Sequence, residues 1–499
     1  MEISTSNHQN LHFVLLPWLA PGHMIPMIDI ARLLAEHGVT VTVLTTPANA
    51  SRIQPTIDRI SHSTHPIQFI PLHFPTTEVG LPEGCENMDS ITSTAMITTF
   101  YNASKLLREQ IVHHLHKLKP APSCIIAGMC FAWTYVIARE FGVPWFLFHG
   151  FSCFSLFCLH NLHLYKSHET VSSPTEPFVL PGLPHRFEIT REQLPMHFHL
   201  LPQYQEMCDE VREGELAMDG EIVNSFDELE LGYSERLEAA TMKKVWTVGP
   251  VSLYNKGRSD MVERGNQSMF DEMRCLNWLD SKKPESVVYV SFGSMGRFTP
   301  AQMMELGSGL LASNRPFIWV VREGERSSEE VEDWLLEKFE KNGDSRCLLI
   351  RGWAPQVMIM AHPAVGGFVT HCGWNSTLEA VSSGLPMVTW PLFSEQFLNE
   401  NLVVDVLGIG VAVGVRTATK WGRGGEDGVL VGREDVAKAV ERLMDGGEEG
   451  EERKRRAKEL GEKAKKAMEK GGSSYSNMTN LIQYVAEYAA KSTVEHMTS

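Results

Sequence analysis

Short apolar runs alternate along this chain with longer stretches whose apolar residues recur every three to four positions. Residues 11–17 form the first run, and 20–23 (Ala-Pro-Gly-His) read as a turn. Ile25, Ile28, Ala31, Leu33 and Leu34 then follow at helical spacing, with Gly38 closing the helix. Residues 39–45, rich in Val and Thr, give the next strand, which completes a βαβ unit and predicts a parallel sheet. The alternation continues with strands over 67–72, 124–127 and 145–148 and helices over 93–118 and 132–141. Strands over 219–224 and 245–251 close the first half. A polar, charged stretch over 254–274 reads as a linker. A second α/β run opens at 287–291, with Gly293 and Ser294 directly after it. Strand-helix alternation on this scale predicts two doubly wound α/β domains.

The densest punctuation lies between Trp353 and Gln396. It begins after a strand over 348–351. Within it, 365–370 is a β-branched and aromatic strand, His371 to Ser376 a turn, 377–381 a helix and 387–391 the next strand. Gly384 and Pro386 stop the helix. A Gly-containing loop with His, Asn and Ser side chains therefore sits where a strand ends and a helix begins. Free backbone N–H groups and the helix dipole make that position an anion site, with phosphate the expected occupant.

Composition narrows the picture. At 499 residues the chain exceeds one ordinary core, and 43% hydrophobic with 21% charged residues is an ordinary globular balance. A formal charge of −16 opposes nucleic-acid binding. Nine scattered cysteines without a CxxC pair suit free thiols in a reducing, cytoplasmic setting. The apolar run at 11–20 lacks a basic lead and is too short to span a bilayer. The one at 143–164 reads as a strand followed by a buried helix. The mixed-sign stretch 446–470 reads as a solvated helix, and 478–489 as a final amphipathic one before a disordered tail.

The 44 residues from Trp353 to Gln396, with HCGWNS in the middle and Gln at the end, resemble the donor-binding signature of plant family 1 UDP-glycosyltransferases. PGHMIPM near the start, IVNSFDELE mid-chain and VYVSFGS extend the resemblance over nearly the whole chain. The resemblance implies the GT-B fold: two Rossmann-like domains facing across a cleft. An acceptor domain (1–252), a linker (253–283), a UDP-sugar domain (284–474) and a helix with tail returning to the first domain (475–499) are expected. It further implies an inverting enzyme that moves glucose from UDP-glucose to a hydroxyl or carboxyl of a hydrophobic plant metabolite.

The resemblance also assigns roles. Trp353 would stack on uracil and Ala354 would bond the base through its backbone. Gln356 and Glu379 would hold the ribose hydroxyls, although Ser376-x-x-Glu379 also fits a capping box. His371, Gly373, Asn375, Ser376 and Ser294 would receive the diphosphate, and Trp374, Glu395 and Gln396 the sugar, with Gln396 pointing to glucose. Helix-end dipole and hydrogen bonds would stabilise the leaving group, and no metal or other cofactor is expected.

His23 matches the family's general base, which takes the acceptor's proton as oxygen attacks the anomeric carbon. Most relatives orient that histidine with an Asp at the end of the strand read here as 124–127. Gly128 stands in its place. His23 could then use a backbone carbonyl or a side chain such as Ser152, or work without an orienter, or the chain could be a non-catalytic UDP-sugar binder. Cys130, Phe151, Phe154 and Phe393 would line an apolar acceptor pocket. The segments FHGFSCFSLFCLH and ITREQLP resemble the group acting on triterpenoids, steroids and flavonoids. That makes a triterpenoid or steroid, or its glycoside, the first expectation and a flavonoid the alternative. A monomer is expected. A nicotinamide-dependent dehydrogenase is disfavoured, because no strand is followed by GxGxxG.

Overall fold

The computed structural model describes residues 11–61, 63, 65–199, 202–265, 271–322, 329–341, 345–419 and 428–498. Part of the expected linker, 266–270, lies outside them. Two compact units emerge. One comprises residues 1–153, 200–256 and 466–499, the other 154–199 and 257–465.

The first unit is built on seven parallel strands: β1 (His12–Leu16), β2 (Thr40–Thr45), β3 (Gln68–Pro71), β4 (Cys124–Gly128), β5 (Trp145–Phe148), β6 (Gly220–Val223) and β7 (Lys244–Thr247). Their order in the sheet is β3-β2-β1-β4-β5-β6-β7. β1 pairs on one side with β2 (Val14 opposite Thr42) and on the other with β4 (Leu15 opposite Ile126). The order therefore reverses between β1 and β4, the switch point where doubly wound sheets bind ligands. All five residues of β1 are buried, so it reads as a continuous apolar run.

Helix α1 (Pro21–Glu36) follows β1. It starts earlier than its apolar spacing suggests, because Pro21 occupies the first helical position, where its fixed φ and missing N–H cost nothing. Gly38, in the left-handed region at φ 84°, ends it as expected. The expected helix over 93–118 is two helices, Ala95–Lys105 and Arg108–Lys117. At the break, Ser104 donates its hydroxyl to the Tyr101 carbonyl at 2.6 Å, a local bond that competes with the helix ladder. The expected helix at 132–141 is a 3₁₀ segment, Met129–Thr134, leading into Tyr135–Glu140. Helix α2 (Gln205–Ala217) precedes β6.

The second unit carries six parallel strands: β8 (Val287–Ser291), β9 (Phe317–Val321), β10 (Cys347–Arg351), β11 (Val365–Thr370), β12 (Met387–Thr389) and β13 (Gly410–Ala412). The sheet order β10-β9-β8-β11-β12-β13 again reverses, here between β8 and β11. Helix α3 (Trp374–Ser382) follows β11 and helix α4 (Gln396–Asn401) follows β12. The charged stretch forms the helix Glu448–Met468, laced with pairs such as Arg456–Glu452.

The final helix, α5 (Ser473–Thr498), replaces the shorter helix and disordered tail expected from the sequence. Met478, Leu481, Ile482 and Val485 enter the same core cluster as Phe13, Leu15, Phe146 and Trp246 of the first unit. Each such burial contributes about 1.5–3 kcal/mol relative to exposure. Ser474 donates to the Gly249 carbonyl at 2.5 Å, which fixes the start of α5 on that unit. Among the described residues, no helix is long and apolar enough to cross a membrane.

Candidate active site

In the second unit, the predicted donor residues collect at the carboxyl ends of β8, β10 and β11, around the switch point. α3 begins at Trp374 with Gly373 as its N-cap. The helix thus starts before the segment expected from its pattern, and Ser376 lies inside its first turn. That placement removes the capping-box explanation for Glu379. Its carboxylate is held instead by two other side chains. Gln356 donates to Oε2 at 2.7 Å and to the Ser376 hydroxyl at 3.1 Å, while Arg264 forms a buried ion pair with Oε1. Each carboxylate oxygen still has lone-pair capacity for a ribose hydroxyl.

His371 follows β11 directly and is nearly buried. Gly293 and Gly373 make room for its ring. A β-carbon at Gly373 would lie 2.3 Å from Nε2, and one at Gly293 would lie 2.5 Å from Cε1. Gly373 thus clears space for the imidazole itself. Burial, and after it the Arg322 charge, pulls the His371 pKa down to about 4, so the ring is neutral. A neutral imidazole can donate one N–H to phosphate without carrying charge. Ser294 lies in the turn after β8, and Asn375 in the first turn of α3, both partly exposed. Cys372 takes a left-handed φ of 63°, and its carbonyl accepts from the Asn399 amide at 2.8 Å.

Trp353 is half-buried just after β10, and Ala354 is buried beside it. Glu395 is 4% exposed and accepts from Asn399 at 3.2 Å and from the Trp374 N–H. Burial outweighs these bonds and raises its pKa to about 7. Gln396 spends its side-chain oxygen on the Leu392 and Phe393 N–H groups, at 2.8 and 3.0 Å. Its NH₂ makes no hydrogen bond among the described residues and remains a donor.

In the first unit, His23 occupies the first turn of α1, at the carboxyl end of β1. Its Nδ1 is buried and has no hydrogen-bond partner among the described residues. Burial first, and the charge of His149 second, lower its pKa to about 4. The positive end of α1 acts in the same direction. Gly128 ends β4 beside this turn. A β-carbon there would lie 2.6 Å from the Trp18 backbone nitrogen and 2.7 Å from the Trp18 β-carbon. Trp18 is itself held edge-on to Phe100 and Phe131, at centroid distances of 5.7 and 5.2 Å. The glycine is therefore a fitted contact with the backbone after β1, leaving no open slot for an absent side chain.

The four expected acceptor residues divide between the units. Cys130 lies in the 3₁₀ turn after β4, its thiol pushed up to about 12 by burial, and Phe151 stacks on His149 at 6.2 Å. Phe154 is fully buried and stacks on His185 at 6.2 Å, while Phe393 is half-buried before α4. Ser152 is buried.

Sequence reasoning passed over Trp18, His149, Glu215, Glu221 and Arg264. Glu221 carried little local signal: its need for a partner shows only because the strand it sits in is buried at every position. Arg264 carried none, since it falls in a stretch read as linker.

Two Rossmann-like sheets, one bearing nucleotide-ready groups at its switch point and the other a half-buried histidine, define a nucleotide-sugar glycosyltransferase of GT-B fold. Comparisons with known proteins agree. The family described as UDP-glucoronosyl and UDP-glucosyl transferase matches residues 270–425. The chain is 48% identical over 487 residues to UDP-glycosyltransferase 73C3 of Arabidopsis thaliana, covering 97% of each protein. UGT73P12 of Glycyrrhiza uralensis, solved with glycyrrhetinic acid 3-O-monoglucuronide, is similar at TM-score 0.87 and 40% identity over 98% of each chain. UGT71G1 of Medicago truncatula, solved with UDP-glucose, has a TM-score of 0.78 at 25% identity, covering 97% of this chain and 100% of that one. The chain belongs to the plant family 1 UDP-glycosyltransferases. It is an enzyme that moves a glycosyl group from a UDP-sugar to a small-molecule acceptor.

Proposed function

We propose that the enzyme transfers glucose from UDP-glucose, with inversion, to a hydroxyl or carboxyl of a triterpenoid or steroid, or of its glycoside. His23 is the general base. The observation that carries this reading is the state of His23: a half-buried, neutral imidazole in the first turn of α1, its Nδ1 enclosed, able to accept a proton. Attack by the acceptor oxygen opposite the departing UDP forms the new glycosidic bond and breaks the bond to phosphate. The acceptor's proton passes to His23.

In the donor site, Trp353 and Ala354 take the base, and Gln356 with Glu379 the ribose. His371, Gly373, Asn375, Ser376 and Ser294 take the diphosphate at the amino end of α3, where the helix dipole offsets charge on the departing UDP without a metal. Trp374, Glu395 and the free NH₂ of Gln396 take the sugar hydroxyls. Cys130, Phe151, Phe154 and Phe393 supply apolar surface for the acceptor. Glucose is supported by the UDP-glucose bound to UGT71G1, and a triterpenoid acceptor by the glycyrrhetinic acid derivative bound to UGT73P12. The reading describes a cytoplasmic monomer.

The test is product mass analysis with UDP-glucose and a panel of triterpenoids, steroids and flavonoids, wild type beside His23→Ala. A triterpenoid or steroid product heavier by one hexose residue, lost in the variant, supports the reading. Product from flavonoids alone would overturn the acceptor class. Undiminished product from His23→Ala would overturn the base.

A further inference from the structure

Beside His23 lies a buried charged cluster that the proposed chemistry does not use. His149 follows β5 directly and is 4% exposed. Each of its ring nitrogens meets a carboxylate: Nδ1 lies 2.5 Å from Glu221 of β6, and Nε2 lies 3.2 Å from Glu215 of α2. A neutral imidazole has a single N–H to donate. Only the imidazolium can donate to both acceptors at once. Arg212 completes the cluster by donating to the other oxygen of Glu215 at 2.7 Å.

The turn that carries this cation adjoins the base. Gly150, the next residue, adopts φ 76°, and a β-carbon there would sit 3.3 Å from both Nδ1 and Cε1 of His23. Phe148, the residue before it, meets the His23 ring edge-on at 6.4 Å. The His149 turn therefore packs against the His23 ring, whose Nδ1 has no partner among the described residues. The other obvious place for a counter-charge, Gly128, is closed by its contact with Trp18.

We infer that His149, fixed as a cation between Glu221 and Glu215, is a positioning residue of the transfer reaction that sets the proton affinity of His23 from the site's far side. The inference rests on the reading of His23 as general base. Relatives with an Asp hold the base beside an anion, and here it sits beside a cation. Burial first, and this cation after it, keep the base unprotonated in mildly acidic solution.

The surrounding charges agree with this assignment. Burial opposes charge on His149, but Glu221 and Glu215 outweigh it and raise its pKa to about 10. Burial would likewise raise the pKa of Glu215, yet His149 and then Arg212 hold it at about 2. From the segment packed against the start of α1, Glu86 accepts from the Ala48 N–H, and Asp89 is paired with Arg52. Behind Cys153, Glu230 accepts from Ser225 and from the Cys153 N–H. After burial, the His149 charge is what lowers the His23 pKa.

The experiment is an NMR titration of the full chain carrying ¹³C-labelled histidine, with the His23 and His149 signals assigned by their loss in His23→Gln and His149→Gln. In the wild type, His149 should show the imidazolium shift at pH 8, while His23 stays neutral down to pH 5. In His149→Gln/Glu221→Gln, which keeps a neutral hydrogen-bonded pair, the His23 midpoint should rise by at least one pH unit. The acid limb of kcat/KM for UDP-glucose should move with it. A loss of packing alone would lower kcat without moving either midpoint. A neutral His149 at pH 8, read without any variant, would overturn the inference, as would an unmoved His23 midpoint in the variant. If His23→Ala keeps full activity, the base reading fails and the midpoint still reports the electrostatic claim. If His23→Ala is inactive and the midpoint does not move, the positioning claim fails alone.

Discussion

The two switch points hold comparable histidines in different settings. His371 in the second unit and His23 in the first each follow the carboxyl end of a central strand. Each has a buried Nδ1 without a hydrogen-bond partner among the described residues, and burial lowers each pKa to about 4. Around His371, most of the enclosing residues are close in sequence, Gly373 two positions on and α3 immediately after, with Gly293 reaching in from the turn after β8. Around His23, the neighbours come from the ends of β4 and β5, and the groups that hold His149 charged come from β6 and α2. One topology thus supports a site encoded mostly in one contiguous segment, joined by Gly293 and Arg264 from outside it, and another assembled from distant parts of the chain.

The two histidine settings respond differently to substitution. The largest expected effect is on the first unit: His23→Ala should lower turnover by about 10²–10⁴-fold, the usual range for loss of general-base catalysis, read as initial rates of glucoside formation. Next is Gly373→Ala, which pushes a methyl group into the His371 ring. Overpacking of this kind costs about 1–3 kcal/mol, so the Kd for UDP should rise about tenfold or more by calorimetry. Arg264→Gln leaves the buried carboxylate of Glu379 without its cation. KM for UDP-glucose should rise by up to about tenfold, the lower end (about 1.5 kcal/mol) of what a charged hydrogen bond contributes, with a smaller change in kcat.

Gly128→Asp sharpens the contrast from the other side. If the glycine were merely a lost Asp, the substitution would raise activity. The close contact with the Trp18 backbone predicts no gain, and a fold weakened by about 1–3 kcal/mol in thermal melts. The last effect is a pH trend. His149 has a folded pKa above its ordinary value, so its stabilising contribution is complete below about pH 6.5 and is lost as pH rises through about 10. Melting temperature should fall over that window in the wild type and fall less in His149→Gln/Glu221→Gln.

Much of the architecture was legible in the chain. β5, β8 and β11 run over the residues their apolar patterns mark, because parallel strands buried on both faces leave continuous hydrophobic runs. Helix starts were harder to read. α1 and α3 begin at Pro21 and Trp374, before their apolar spacing becomes visible, since first-turn residues satisfy loop and helix patterns alike. The anion-ready loop at His371 to Ser376 was readable because its strand, turn and helix are consecutive. The His23 surroundings were not. Trp18 and Gly128 lie more than a hundred positions apart, and no local pattern shows that one excludes a side chain at the other. His149 and Glu221 each look like an isolated polar residue in an apolar stretch until β5 and β6 pair. Arg264 reaches Glu379 from a segment whose composition suggests only a linker.

The most direct test separates donor binding from proton transfer in one variant. UDP affinity of His23→Ala is measured by calorimetry, and product formation from UDP-glucose is measured on the same preparation. The account predicts a Kd within about twofold of wild type, with turnover reduced at least about 100-fold. Retained turnover, or UDP affinity lost together with activity, would contradict the assignment of donor binding and base catalysis to separate sites.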